Sequence, residues 1–150
     1  MKHEEQTIYT ESMRLCSLLD KCVPMMTKVN RIIHLTDCQK EAYCLPAEFA
    51  QAYESRIDKY ELYQRLYAHY VNVLVRVRNI INNGILQSPN PKIEGLTVRK
   101  MQVDLTDCLG NLDEALCRWG NKIPRKGKIV ADDDHDSYQE MKGVSALIKG

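Results

Sequence analysis

His34 and Cys38 stand four residues apart, a spacing that places two side chains on one face of a helix, and Cys44 follows six residues later. Imidazole and thiolate are donors that zinc takes readily, so these three are the sharpest metal-ligand candidates in the chain. A structural zinc site needs four such donors and close pairs such as Cys-x-x-Cys, and neither is present. The pairs Cys16/Cys22 and Cys108/Cys117 fit no better. An ordinary histidine beside buried thiols is the expectation. Asp132, Asp133, Asp134, His135 and Asp136 crowd carboxylates together, but they lack the glycine and terminal glutamate of a calcium loop. A solvated acidic run is expected there. The chain has no Gly-x-Ser-x-Gly, no His-Glu-x-x-His and no phosphate-cradling glycine loop. No catalytic residue, metal or cofactor is assigned, and no small-molecule substrate is evident.

Two surface chemistries remain. Tyr53, Tyr60, Tyr63, Tyr67 and Tyr70 share one helical stripe. Each brings a large apolar ring and a hydroxyl that needs a partner when buried. Such a stripe is either a core face with hydroxyls at the bundle edge or part of a subunit or partner interface, where tyrosine is enriched. The second chemistry is basic. Lys122, Arg125, Lys126 and Lys128 cluster within seven positions, and Arg76, Arg78, Arg99, Lys100 and Arg118 add a charged flank. Those nine side chains are the candidate nucleic-acid contacts, because several phosphate contacts together give salt-sensitive affinity. The acidic run beside the cluster competes for the same cations.

The elements that must carry these residues are helices. Ile8, Ser12, Leu15, Leu19, Cys22, Met26, Val29 and Ile33 recur at steps of four and three, so they form one stripe. Pro24 interrupts it, and either kinks one helix or divides two with Pro24 opening the second. Residues 36–46 (TDCQKEAYCLP) read as a connection, with Pro46 suited to the first position of a new helix. From Phe49 to Ile81 there is neither proline nor glycine, and Asn82-Asn83-Gly84 supplies a stop. A continuous helix there would be about 55 Å long. Its tyrosine stripe continues through Leu74, Val77 and Ile81 and is broken only by Arg56. Val98, Met101, Leu105, Cys108, Leu112, Ala115 and Trp119 line a third helix, with Gly120 placed as its cap and Gly110 as a point of close helix approach.

The expected fold is all-α: an up-down bundle of three long helices over residues 1–120, then a charged linker (121–136) and a short amphipathic helix (137–150). The 44% hydrophobic content argues against disorder over most of the length. Twenty-one Lys and Arg nearly balance twenty Asp and Glu, so no global field selects a partner. The first residues lack the apolar core of a signal peptide and no apolar run is long enough to span a bilayer, so a cytoplasmic protein with reduced thiols and no membrane partner is expected.

The segment YVNVLVRVRNIINNGILQS (70–88), followed by VRKMQVDLTDCLGNLDEALCRW (98–119), resembles the last two helices of a bacterial four-helix-bundle family. That family includes accessory proteins of diversity-generating retroelements and proteins encoded in intervening sequences of large-subunit ribosomal RNA genes. The likeness lies in an aliphatic helix with interspersed arginines, then a loop, then an amphipathic helix ending near an aromatic. The loop bearing Pro89 and Pro91 is long for the pattern, and the acidic linker has no counterpart. The resemblance implies a homo-oligomeric bundle that assists a reverse transcriptase or RNA through basic surface and catalyses nothing itself. The alternative is a protein-only interaction module of the immunity, antitoxin or regulatory kind, using the tyrosine face.

Overall fold

The computed structural model describes residues 3–87 and 94–123, and all of their regular structure is helical. Four long helices pack together. They are α1 (His3–Lys21), α2 (Thr36–Ser55), α3 (Lys59–Asn82) and α4 (Glu94–Lys122). The linker beyond residue 123 and the helix expected at 137–150 lie outside the described residues.

Three local decisions separate four helices from the expected three. The first is at Pro24, which divides the first stripe. α1 ends at Lys21, and Pro24 sits within a 3-10 turn, Val23–Met25, whose Met25 amide donates to the Cys22 carbonyl at 2.9 Å. The chain restarts at Thr27, whose hydroxyl accepts from the Asn30 amide at 3.2 Å, as an N-cap should.

The second correction concerns residues 36–46, which are helix rather than connection. One α-turn (Lys28–Asn30) and a π-helical stretch (Arg31–Leu35) lead directly into α2, and Pro46 lies inside it. Cys38, Ala42, Leu45 and Phe49 are buried at steps of four, three and four, so the helical period was present on both sides of the proline. This new register also ends the first stripe at Met26. Val29 and Ile33, read from sequence as continuing it, face solvent, because the turn at Pro24 resets the helical phase.

The third break is at Arg56, the residue that interrupts the tyrosine stripe. It takes a left-handed conformation, φ 52° and ψ 43°, and caps α2. Asp58 then opens α3, its carboxylate accepting from the Glu61 amide at 3.4 Å. The expected single helix of about 55 Å is therefore two helices folded back on each other. The stop at Asn82-Asn83-Gly84 forms as expected. Gly84 has φ 61°, its amide donates to Ile81 at 3.2 Å, and the Ile85 amide donates to Ile80 at 3.1 Å. That pair of bonds satisfies the terminal carbonyls as a Schellman motif does.

Helix α1 packs on α4 and α2, α3 on α2 and α4. Named contacts show each neighbouring pair running antiparallel. The ring of Tyr9, early in α1, meets Phe49, late in α2, at 6.0 Å, while Asp20 at the end of α1 accepts from Tyr43 at 2.8 Å. Tyr63, early in α3, meets Trp119, late in α4, at 5.9 Å, and the Tyr70 hydroxyl donates to the Leu109 carbonyl at 3.3 Å. Ile8, Leu15, Leu45, Leu66, Val73, Leu105, Leu112 and Leu116 fill the space between, all essentially inaccessible. Each large side chain so buried contributes about 1.5–3 kcal/mol.

Candidate functional site

The tyrosine stripe is largely absorbed by the core. Tyr63, Tyr67 and Tyr70 are buried between α3 and α4, and burial raises the Tyr67 hydroxyl well above its ordinary pKa. Tyr60 is half-buried with its ring 6.5 Å from that of Tyr63. Tyr53 lies on α2, across the break at Arg56, and is exposed. The surface that five tyrosines would have offered a partner is reduced to Tyr53 and an edge of Tyr60.

Among the described residues, the basic candidates are spread along two helices. Arg99 and Arg118 are 19 positions apart on α4, roughly 28 Å along the axis. Three of the exposed cations on α4 meet carboxylates. Lys100 pairs with Asp104 at 3.5 Å, Arg118 with Glu114 at 3.7 Å, and Lys122 with Glu4 of α1. Arg76 and Arg78 are half-buried on α3, and Arg76 Nη1 donates to the Asn72 carbonyl at 3.1 Å. Arg125, Lys126 and Lys128 lie outside the described residues, as does the acidic run 132–136.

The His34, Cys38 and Cys44 set is dispersed. Cys38 faces the core, and burial pushes its thiol up to about 12. His34 points toward α3, where Asn79 Nδ2 lies 3.4 Å from its Nδ1. All six cysteines are free thiols, five buried and Cys44 half-buried.

The surface feature that does stand out was missed in the sequence because it is made by a phase change. Val29, Ile32 and Ile33 are 62%, 64% and 61% exposed, and Val75 of α3 is 48% exposed. Ile33 and Val75 line a shared cleft of about 490 Å³ with His34, Asp37, Arg76 and Asn79. Ile32 and Ile33 lie within the π-helical stretch Arg31–Leu35, downstream of the turn at Pro24 that resets the helical phase. Thr36 Oγ1 bridges the widened turn, donating to the Arg31 carbonyl at 3.1 Å. Exposed aliphatic side chains grouped inside a polar rim mark an interaction surface.

No match is found among known proteins. Protein-family models, curated proteins and solved structures all give none for this chain. The candidate site therefore stands on its own geometry: a cleft in which exposed Ile33 and Val75 sit with Asp37 and Arg76, next in sequence to exposed Val29 and Ile32. Two signals for it existed in the sequence. Ile32 and Ile33 are adjacent, so both could not face one narrow core seam, and Val75 lies off the stripe that runs through Tyr70, Leu74 and Val77. Among the described residues, no helix is long and apolar enough to cross a membrane.

Proposed function

We propose that this chain is a non-enzymatic helical accessory protein that acts as a self-associated bundle, two copies meeting on the face of Val29, Ile32, Ile33 and Val75. The observation that carries the reading is the exposure of three bulky aliphatic side chains within five positions, the last of them, Ile33, sharing a cleft with exposed Val75 of α3. Leaving such groups in water forgoes the burial energy that a partner surface would supply.

A second copy fits better than an unrelated partner because the rim carries both signs. Asp37 and Arg76 border the same cleft. In a two-fold interface the same patch meets itself, so Asp37 of one copy stands opposite Arg76 of the other, and the reverse. Nucleic-acid binding is the weaker half of the expectation, since Lys100, Arg118 and Lys122 already face carboxylates of their own chain. The accessory role toward a reverse transcriptase or RNA rests on the family resemblance of residues 70–88 and 98–119.

Light scattering on the full chain tests the reading. The wild type is expected to run as a dimer at micromolar concentration, and Ile32→Asp with Ile33→Asp to run as a monomer with unchanged helicity. These two side chains are exposed, so their loss leaves the core intact. A wild-type monomer across that range would sink the proposal. Retention on RNA at low salt, vanishing steeply as salt rises, would restore the nucleic-acid half.

A further inference from the structure

Further along the same face of α2, past Asp37, three side chains stand at steps of three and four: Glu41, Cys44 and Glu48. That spacing puts them on one face of the helix, directed at α3. There they meet His69. Its Nδ1 lies 2.8 Å from Glu41 Oε2, and its Nε2 lies 3.3 Å from Glu48 Oε1. One ligand atom each from Glu41, Cys44 and His69 falls within 4.8 Å of the others. All three residues are half-buried, so the group is held by packing yet open to solvent.

We propose that Glu41, Cys44 and His69 bind a divalent cation of the zinc class, with Glu48 orienting the imidazole from its far side. The donor set decides the class. Calcium and magnesium take oxygen ligands, whereas a mixed thiolate, imidazole and carboxylate set suits zinc and its neighbours. Bonds of about 2.0–2.3 Å in a tetrahedral site hold ligand atoms roughly 3.3–3.8 Å apart. The ligand atoms, within 4.8 Å of one another here, must draw together to that spacing as the cation binds.

The second carboxylate strengthens the case. Ligating histidines characteristically give their other ring N–H to a carboxylate, which fixes the ring and its tautomer. With Nδ1 on the metal, Nε2–H is placed to donate to Glu48 Oε1, 3.3 Å away. Glu48 is itself steadied by Arg65, whose Nη1 is 3.6 Å from Glu48 Oε2. Three protein ligands leave a fourth position for water. The Cys44 thiol becomes a ligand by losing its proton to solvent as the cation binds. Because the ligands come from two helices, the bound cation clamps α2 to α3.

The sequence obscured this site for a simple reason. Cys44 and His69 are 25 positions apart, and only the fold-back at Arg56 brings them together.

The test uses the full chain and Co2+ or Zn2+ alone as probe. One equivalent of Co2+ is expected to give a thiolate-to-metal charge-transfer band, and Zn2+ to raise the Tm. The band should vanish in Cys44→Ser and stoichiometric uptake in His69→Gln. Glu48→Gln should weaken affinity by about 10- to 100-fold. Circular dichroism establishes that each variant is folded, and Cys16→Ser, which removes a core thiol on α1, should leave the band in place. Absence of stoichiometric uptake, or uptake that neither Cys44→Ser nor His69→Gln alters, overturns the proposal.

Discussion

The ring of Tyr63 occupies the space that a side chain at position 120 would need, since a Cβ built on Gly120 would stand 2.6 Å from the Tyr63 hydroxyl oxygen and closer still to the ring. Gly120 is thus not the terminal cap that its place after Trp119 suggests. It lies inside α4, which continues to Lys122, and lets α3 approach closely. Gly120→Ala should destabilise the bundle by about 1–3 kcal/mol, the usual cost of overpacking. Urea denaturation measures it, and Tyr63→Leu in the same background should recover part of the loss.

Gly110 gives the opposite expectation. A Cβ there meets nothing within 4 Å, so the close approach expected at this position is not what keeps it glycine. Gly110→Ala should therefore gain close to the full helix-propensity difference, about 0.8–1 kcal/mol, seen as a rise in Tm with unchanged fold. A loss of stability would show that α4 moves closer to its neighbours than its packing implies.

Arg56 holds a left-handed conformation that a Cβ disfavours by roughly 1–2 kcal/mol. Arg56→Gly should relieve that strain and, after allowance for the greater freedom of glycine in the unfolded chain, gain up to about 1 kcal/mol. Arg56→Ala should leave stability within about 0.5 kcal/mol of wild type, because the strain stays. If α2 and α3 instead formed one straight helix, Ala would stabilise and Gly would not.

Glu5 is 3% exposed, and its carboxylate meets Lys59 at the start of α3. Lys59→Met should cost about 1–2 kcal/mol in denaturant titration, since a carboxylate excluded from water loses its cation. The double variant with Glu5→Gln should recover part of this. The lysine is half exposed, and water limits the effect to the lower end of what buried pairs lose.

The thiols set an alkaline limit. Burial raises Cys16 to about 11 and Cys22 and Cys38 to about 12, from a reference of 9.0, and raises Cys108 further. These groups hold their protons longer folded than unfolded. Their stabilising effect is complete below pH about 9 and is lost as pH climbs through 11 and 12. Tm should fall steadily above pH 9. In native labelling with a thiol reagent at pH 8, half-buried Cys44 should react first and the other five only on unfolding.

Helical periodicity alone was enough to determine the all-α class and most of the core. Leu15, Leu66, Leu105 and Leu112 are buried where their spacing places them, and Asn82-Asn83-Gly84 ends α3 by local backbone chemistry. Both are short-range properties, decided within one or two turns of the chain. What depended on tertiary structure was phase and juxtaposition. Pro46 passes through a helix because Cys38, Ala42, Leu45 and Phe49 are all buried by neighbours, and packing outweighs one missing hydrogen bond. Arg56 turns the chain because folding α3 back on α2 buries two faces, a gain no local propensity records. Packing against α4 takes Tyr63 and Tyr70 into the core, and the phase reset at Pro24 leaves Val29, Ile32 and Ile33 exposed. Residue spacing shows which side chains share a helix face; which face meets water is settled only when the helices choose their partners.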